Sequence, residues 1–236
     1  MLNMPNQPLY IDNQDILEFN ATVTSISQNI VTFSETYFYP RSGGQSSDQG
    51  ILTLPTGETL GIVEVFYSDD GSEILHKVSE PIMVNFVGHK VSLSIDEELR
   101  SNHEKMHTTL HLVTSFIKAP VTGCRIFGNE CKIDFNLPEL TITKEDINRY
   151  IEECVSFDLN VSSRNMSASE YRNSKLYNSV IGCPAESNLR IITIDSIDSQ
   201  PCCGTHVNST RNIGKIECFK IKSHGKKNRR FSFRLL

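Results

Sequence analysis

No apolar run in the 236 residues approaches the ~20 that a membrane-crossing helix needs, which excludes an integral helical membrane protein. The stretch from Met1 to Asp15 lacks the basic region and the apolar core of a signal peptide. Glycine and proline are sparse, at 13 and 9, and there is no repeat and no low-complexity tract. With 38% hydrophobic and 22% charged residues, the composition excludes collagen-like, low-complexity and disordered classes. Cysteine does not come in a paired set: there are seven, and Cys202 and Cys203 are adjacent, so a disulfide framework is not expected. These absences point to a soluble, cytoplasmic, reduced protein of one large or two small domains. A chain of this length buries roughly 70–75% of the surface it exposes when unfolded, so its core needs no covalent help.

Positive charge is scarce over most of the chain. The net charge is −5, but the segment from Arg211 to Leu236 holds nine Lys or Arg against one acid, Glu217. The first 210 residues are left with 14 basic and 27 acidic side chains. A basic patch on an acidic body suits a partner that presents phosphates at one place. A solvated edge strand kept soluble by lysine is the plainer reading of the same residues.

What is present falls into two patterns. Residues 20–35 read as two strands around Gln28-Asn29, followed by a loop, YFYPRSGGQSSDQG, at 37–50. GILTL, LGIVEVFY, EILHKV, PIMVNFV and HKVSLSI add further strand-like runs up to residue 95. Many short strands at this spacing predict a small barrel or sandwich over 1–95. From Asp96 the period changes. Leu99, Met106, Leu110, Val113 and Ile117 form the apolar stripe of a helix over about 97–118, capped by Asp96 and closed by Pro120. CRIFGNECKIDFNL reads as a hairpin, Thr143 with Asp146 opens a second helix, and RIITI, IGKIECFKIKS and RFSFRLL read as strands. The expected class is α+β: a β-barrel-like domain at 1–95, then a helix-and-sheet domain at 96–236.

Two clusters carry chemistry. In HEKMHTTLHL, residues 103–112, His103, His107 and His111 stand four apart and so lie on neighbouring turns of the helix. On the helical wheel His103 sits at the edge of the apolar stripe, and His107 and His111 lie progressively outside it. Two imidazoles at i and i+4 can meet one metal ion, although ordinary helix histidines give the same pattern. HExxH is absent, since Met stands at 106, which argues against a metalloprotease. In QPCCGTH, residues 200–206, Cys202 and His206 are again four apart, with Cys203 as an alternative thiol. Thiolate and neutral imidazole both suit Zn²⁺, and two such pairs supply four ligands.

YFYPRSGGQSSDQG, HTTLH, PCCGTHV and IGKIECFKIKSHGKKNRRFSF, in this order, resemble the editing region of alanyl-tRNA synthetase. The closer resemblance is to its free-standing relatives, the AlaX trans-editing proteins, in the longer form that carries the SGGQ-bearing N-terminal part. It covers the chain from about residue 20 to its end. The family's HxxxH then falls on His107 and His111 and its CxxxH on Cys202 and His206, which implies one zinc per chain and leaves His103 structural. The family's CGGTH loop carries Cys203 here at the first glycine, and Ser46 stands where SGGQ is often followed by proline. Gln45 matches the SGGQ glutamine near the editing pocket. A threonine beyond the HxxxH helix is placed for substrate in the family; Thr122 lies at about that distance, with Thr109 as the fallback. The basic end would contact tRNA phosphates through Lys222, Lys226, Lys227, Arg229 and Arg230.

The resemblance implies a hydrolase. Serine exceeds alanine by one hydroxyl, and a binding pocket rejects so near an isostere only about 10–200-fold, so a second site that hydrolyses the wrong ester is the remedy. The implied substrates are tRNA(Ala) mischarged with serine and, beyond that, with glycine. Zinc would lower the pKa of a water, polarise the ester carbonyl or orient the amino acid. The alternative is a zinc-stabilised tRNA-binding module without hydrolytic activity; a zinc hydrolase of some other small ester is a third reading with no substrate to support it.

Overall fold

The computed structural model describes residues 8–174 and 188–236. Cys183 lies outside the described residues. The chain divides into two units: Met1–Ser42 with Ser46–Arg100, and Gly43–Gln45 with Ser101–Leu236.

The first unit is a closed barrel of six antiparallel strands: β1 (Glu18–Ser27), β2 (Ile30–Phe33), β3 (Gly50–Thr53), β4 (Thr59–Tyr67), β5 (Ile74–Val78) and β6 (Lys90–Ile95). The order round the barrel is β1-β2-β5-β4-β3-β6, with β6 returning to β1. Alternation sets the inward face, as at Ala21 and Val23, Leu60 and Ile62, and Val91, Leu93 and Ile95, all buried. The β1–β2 turn places Gln28 at φ 56°, where the sequence predicts the reversal. PIMVNFV is a correction: 81–87 forms no strand, and Met83 and Val84 are 91% and 61% exposed. Pro81 cannot donate to a ladder, and the Asn85 side chain accepts from the Val87 amide at 3.0 Å, closing a turn.

Asp48 and Arg100 form an ion pair in this unit with side chains 0% and 2% exposed. The guanidinium also donates to the carbonyls of Gln14 and Tyr37, and Asp48 accepts from the Tyr39 amide at 2.6 Å. The loop that leads into the SGGQ segment is thus tied at Tyr37, Tyr39 and Asp48 to one buried cation.

α1 (Glu97–Ile117), which belongs to the second unit from Ser101 on, starts on Asp96, whose carboxylate accepts from the Leu99 amide at 3.0 Å. Then follow β7 (Val121–Phe127), β8 (Glu130–Asn136), α2 (Lys144–Ser156), β9 (Val161–Ser167), α3 (Ala168–Asn173), β10 (Asn188–Ile194), β11 (Asp198–Pro201), β12 (Ile216–Ser223) and β13 (Asn228–Leu235). The strands form two antiparallel sheets, β12-β13-β8-β7 and β11-β10-β9. One core joins Met106, Leu110 and Val113 of α1 to Ile133 and Phe135 of β8, Ile147 and Ile151 of α2, and Phe231 and Phe233 of β13. α2 has the expected capping box between Thr143 and Asp146. The α+β class and the N-terminal barrel agree with the sequence reading. β9, α3 and β11 are additional to it.

Candidate metal centre

Every residue of α1 from Met106 to Val113 is buried, which corrects the helical-wheel placing of His107 and His111 outside the packed stripe. The polar side of the helix is covered by two segments of the same unit. One is the loop after β11, carrying Cys202 to His206. The other is Gly43–Gln45, joined to β7 by a parallel bridge between Gln45 and Ile126.

Here His107, His111, Cys202 and His206 come together, with one donor atom from each lying within 4.8 Å of all the others. Cys202 Sγ is 3.4 Å from His107 Nε2 and 3.3 Å from His206 Nε2. Three imidazoles and a thiol in this arrangement can hold a metal ion. Cys203 is exposed; Cys202 is the thiol that faces the histidines.

Each imidazole is fixed from behind. His107 Nδ1 meets Gln45 Oε1 at 2.7 Å, and His111 Nδ1 meets Asp198 Oδ2 at 2.9 Å. His206 Nδ1 meets Thr108 Oγ1 at 3.2 Å, and that hydroxyl already donates to the Glu104 carbonyl at 2.9 Å, so it accepts from the ring. A neutral ring bonded this way carries its proton on Nδ1 and a lone pair on Nε2, which is the form that binds metal. All three lone pairs point at the cluster. Gln200 Nε2 in turn donates to Asp198 at 2.9 Å.

The charges follow from this packing. Burial works to raise the Cys202 thiol, but His107 and His206 beside it outweigh that and hold it well below the usual cysteine value. Burial works to lower the His111 imidazole, but Asp198 and Cys202 overturn it and lift the ring to about 9. Burial and then the His107 charge push His206 well below its ordinary value. The packing thus favours the thiolate of Cys202, the form in which cysteine binds a metal ion.

Gln45 is 0% exposed, and its amide is used inside the protein. The oxygen serves His107 and, at 3.3 Å, the Thr205 amide, while the nitrogen donates to Thr205 Oγ1 at 3.0 Å. Sequence comparison points to Gln45 as a substrate contact; in the structure it orients a ligand-type histidine. A Cβ on Gly44 (φ 88°) would stand 2.6 Å from both the carbonyl oxygen and the Sγ of Cys124, so the segment passes β7 only as glycine. Arg190 Nη1 holds the loop by the carbonyls of Cys202 (3.2 Å) and Gly204 (2.8 Å).

The other sequence candidates are placed elsewhere. Thr109 is fully buried and donates to the Lys105 carbonyl at 2.8 Å. Thr122 is exposed on β7, with its hydroxyl 3.3 Å from the Asp134 carbonyl. His103 is 1% exposed and outside the donor group. Lys222, Lys226 and Lys227 are exposed on the β12–β13 hairpin. Arg230 is bound bidentately to Asp134 at 2.7 Å, and Arg229 donates to the Pro138 carbonyl at 2.6 Å, so these two are already engaged within the protein.

Sequence reasoning does not reach Asp198, Thr108 or Arg190. Only the fold brings them behind the donors, although Thr108 stands between the two histidines of HTTLH. Asp198→Asn, which keeps shape but loses the charge on His111, is expected to weaken metal binding about 10–100-fold in a chelator competition.

A family model described as "Threonyl and Alanyl tRNA synthetase second additional domain" matches residues 189–232. The alanyl-tRNA editing protein AlaX-M of Saccharolobus solfataricus is 31% identical over 95% of this chain and 96% of its own. That of Methanosarcina acetivorans is 32% identical over 97% and 98%. The alanine–tRNA ligase of Picrophilus torridus is 29% identical over 88% of this chain, a match that takes in 24% of that much longer enzyme. A motif set of this kind on a barrel and a His/Cys-bearing helix-and-sheet unit defines a member of the alanyl-tRNA editing class. The chain belongs to the AlaX-M family of alanyl-tRNA editing proteins, in agreement with the resemblance in its motifs.

Proposed function

We propose that the protein hydrolyses the ester of tRNA(Ala) mischarged with serine, and with glycine, releasing the amino acid and intact tRNA. We further propose that it does so at one Zn²⁺ held by His107, His111, Cys202 and His206. The observation that carries this reading is the group of three oriented imidazoles and one depressed thiol, in a chain of the editing family. One sulfur and three nitrogens are a zinc set, and zinc when bound supplies Lewis acidity toward the ester or a more acidic water. The chain's own part is positional. Gln45, Asp198 and Thr108 fix the imidazoles, and Arg190 fixes the loop that bears Cys202 and His206. An aminoacyl ester is already activated, so a positioned water accounts for much of the rate.

One feature favours the second reading. Four protein donors can fill a tetrahedral site, which is the closed arrangement of structural zinc. A zinc-stabilised tRNA-binding module would bind tRNA(Ala) and release no serine. Incubation with Ser-tRNA(Ala) separates the two: serine release faster than in buffer supports the hydrolase, and tRNA binding without release supports the module.

Sparing Ala-tRNA(Ala) needs a polar partner for the serine hydroxyl, the group that distinguishes the two esters. Both threonine hydroxyls donate to a backbone carbonyl, but Thr109 is fully buried, which leaves the exposed Thr122 as the candidate. Thr122→Val, with metal still bound, is expected to lower the ratio of seryl to alanyl hydrolysis roughly 5- to 100-fold, the range of a lost buried hydrogen bond. An unchanged ratio leaves Thr122 a residue of β7 whose hydroxyl serves the Asp134 carbonyl.

Lys226 and Lys227 are proposed to meet tRNA phosphates. Each contact adds roughly −0.7 to −0.9 to the slope of log affinity against log salt, so Lys226→Ala with Lys227→Ala is expected to weaken binding and flatten that slope. An unchanged slope makes the hairpin tip a solvated edge.

A further inference from the structure

We infer that the outer face of the four-stranded sheet carries a row of cations, Lys220 of the basic segment together with Lys132 and Arg125 from far earlier in the chain, that lies along the phosphate backbone of the RNA substrate. The register sets the row. Lys220 of β12 pairs with Ser232 of β13, Ser232 with Lys132 of β8, and Lys132 with Arg125 of β7. The next rows on either side, Cys218-Phe233-Cys131-Ile126 and Ile221-Phe231-Ile133-Cys124, belong to the core or pack against it. By the alternation of a pleated sheet, the row between them projects from the opposite face. Lys220 and Arg125 are accordingly exposed and Lys132 is half-buried, while the short side chain of Ser232 between them is covered.

Two other cations of that face are paired within the protein. Arg234 binds Glu217 at 2.7 Å, and Arg230 binds Asp134 at 2.7 Å. Glu130 stands in register with Arg234. Lys220, Lys132 and Arg125 make no ion pair among the described residues, and Lys222, two residues along β12, stands in the neighbouring row of that face opposite Arg230. Two of the cations are held in place by an aromatic ring. Lys132 Nζ lies 4.7 Å, and Arg125 Cζ 5.4 Å, from the centre of Phe127. At ~4.8 Å between strands the row spans about 14 Å, a length over which a nucleic-acid strand carries several phosphates. Three cations in line, two of them held by Phe127, on an otherwise acidic chain, fit a polyanion of regular charge spacing better than a single anionic group. This inference rests on the tRNA reading for its choice of polyanion.

The test measures binding of uncharged, fluorescently labelled tRNA(Ala) by anisotropy over a range of KCl, together with KM and kcat for Ser-tRNA(Ala). The wild type is compared with Arg125→Gln/Lys132→Gln/Lys220→Gln. The triple variant is expected to bind at least about tenfold more weakly, with the salt slope flattened by about 2 and kcat unchanged. Lys220→Gln alone, an exposed substitution that leaves the sheet intact, is expected to flatten the slope by roughly 0.7–0.9. Unchanged affinity and slope in both variants overturn the proposal. So does loss of binding only to phosphatidylserine vesicles, which would assign the row to a lipid surface. A wild type that binds tRNA but releases no serine would contradict the hydrolytic reading alone, and the slopes would still decide the row.

Discussion

Gly204→Ala is expected to remove the metal and the editing activity together. A Cβ at this position would stand 2.0 Å from His107 Cε1, 2.2 Å from its Nδ1 and 2.9 Å from Gln45 Oε1. None of these contacts is tolerable, and the ring cannot swing aside cheaply. Moving it breaks the 2.7 Å bond to Gln45 and withdraws Nε2 from Cys202. Metal affinity should fall at least 100-fold, the upper end of what loss of an orienting partner costs, because here a ligand itself is displaced. Serine release from Ser-tRNA(Ala) should drop to the buffer rate. The adjacent Cys203→Ser, at an exposed position, should leave both unchanged. Zinc analysis of the purified variants checks the pair; metal retained by Gly204→Ala would mean that the loop has room this geometry denies.

Asp48→Ala is expected to cost about 3–5 kcal/mol of stability, because it leaves the Arg100 guanidinium buried without its anion. The Tyr39 amide, 2.6 Å from Asp48, loses its acceptor in the same step. Urea unfolding should show the loss. The double variant Asp48→Leu/Arg100→Met should lose less than the two single variants combined, since no unpaired charge is then left inside. A loss below about 1 kcal/mol in Asp48→Ala would show that water reaches Arg100.

The sequence makes legible those parts of the fold in which local pattern and burial coincide. The barrel strands alternate because one face is core, and α2 announces itself by its capping box. PIMVNFV has the composition of a strand but no partner to pair with, and composition carries no information on pairing. β9, VSSRNMS, is exposed at Ser162 to Asn165 and offers no alternation to detect. The four donors are legible because a helix turn and a tight loop both impose a spacing of four. Their supports are not, because Asp198 acts on a histidine 87 residues away and Gln45 on one 62 residues away. The basic tail is legible as charge, yet only the register shows that Arg230 serves Asp134 and that Lys132 and Arg125 join the row instead.

X-ray absorption at the zinc edge of the protein as purified tests the centre most directly. The account predicts one zinc per chain, with one sulfur at about 2.3 Å and three nitrogens at about 2.0–2.1 Å. Cys202→Ser should abolish the sulfur signal and Cys203→Ser should preserve it. No zinc, two sulfurs, or a sulfur that survives Cys202→Ser and vanishes in Cys203→Ser would contradict it.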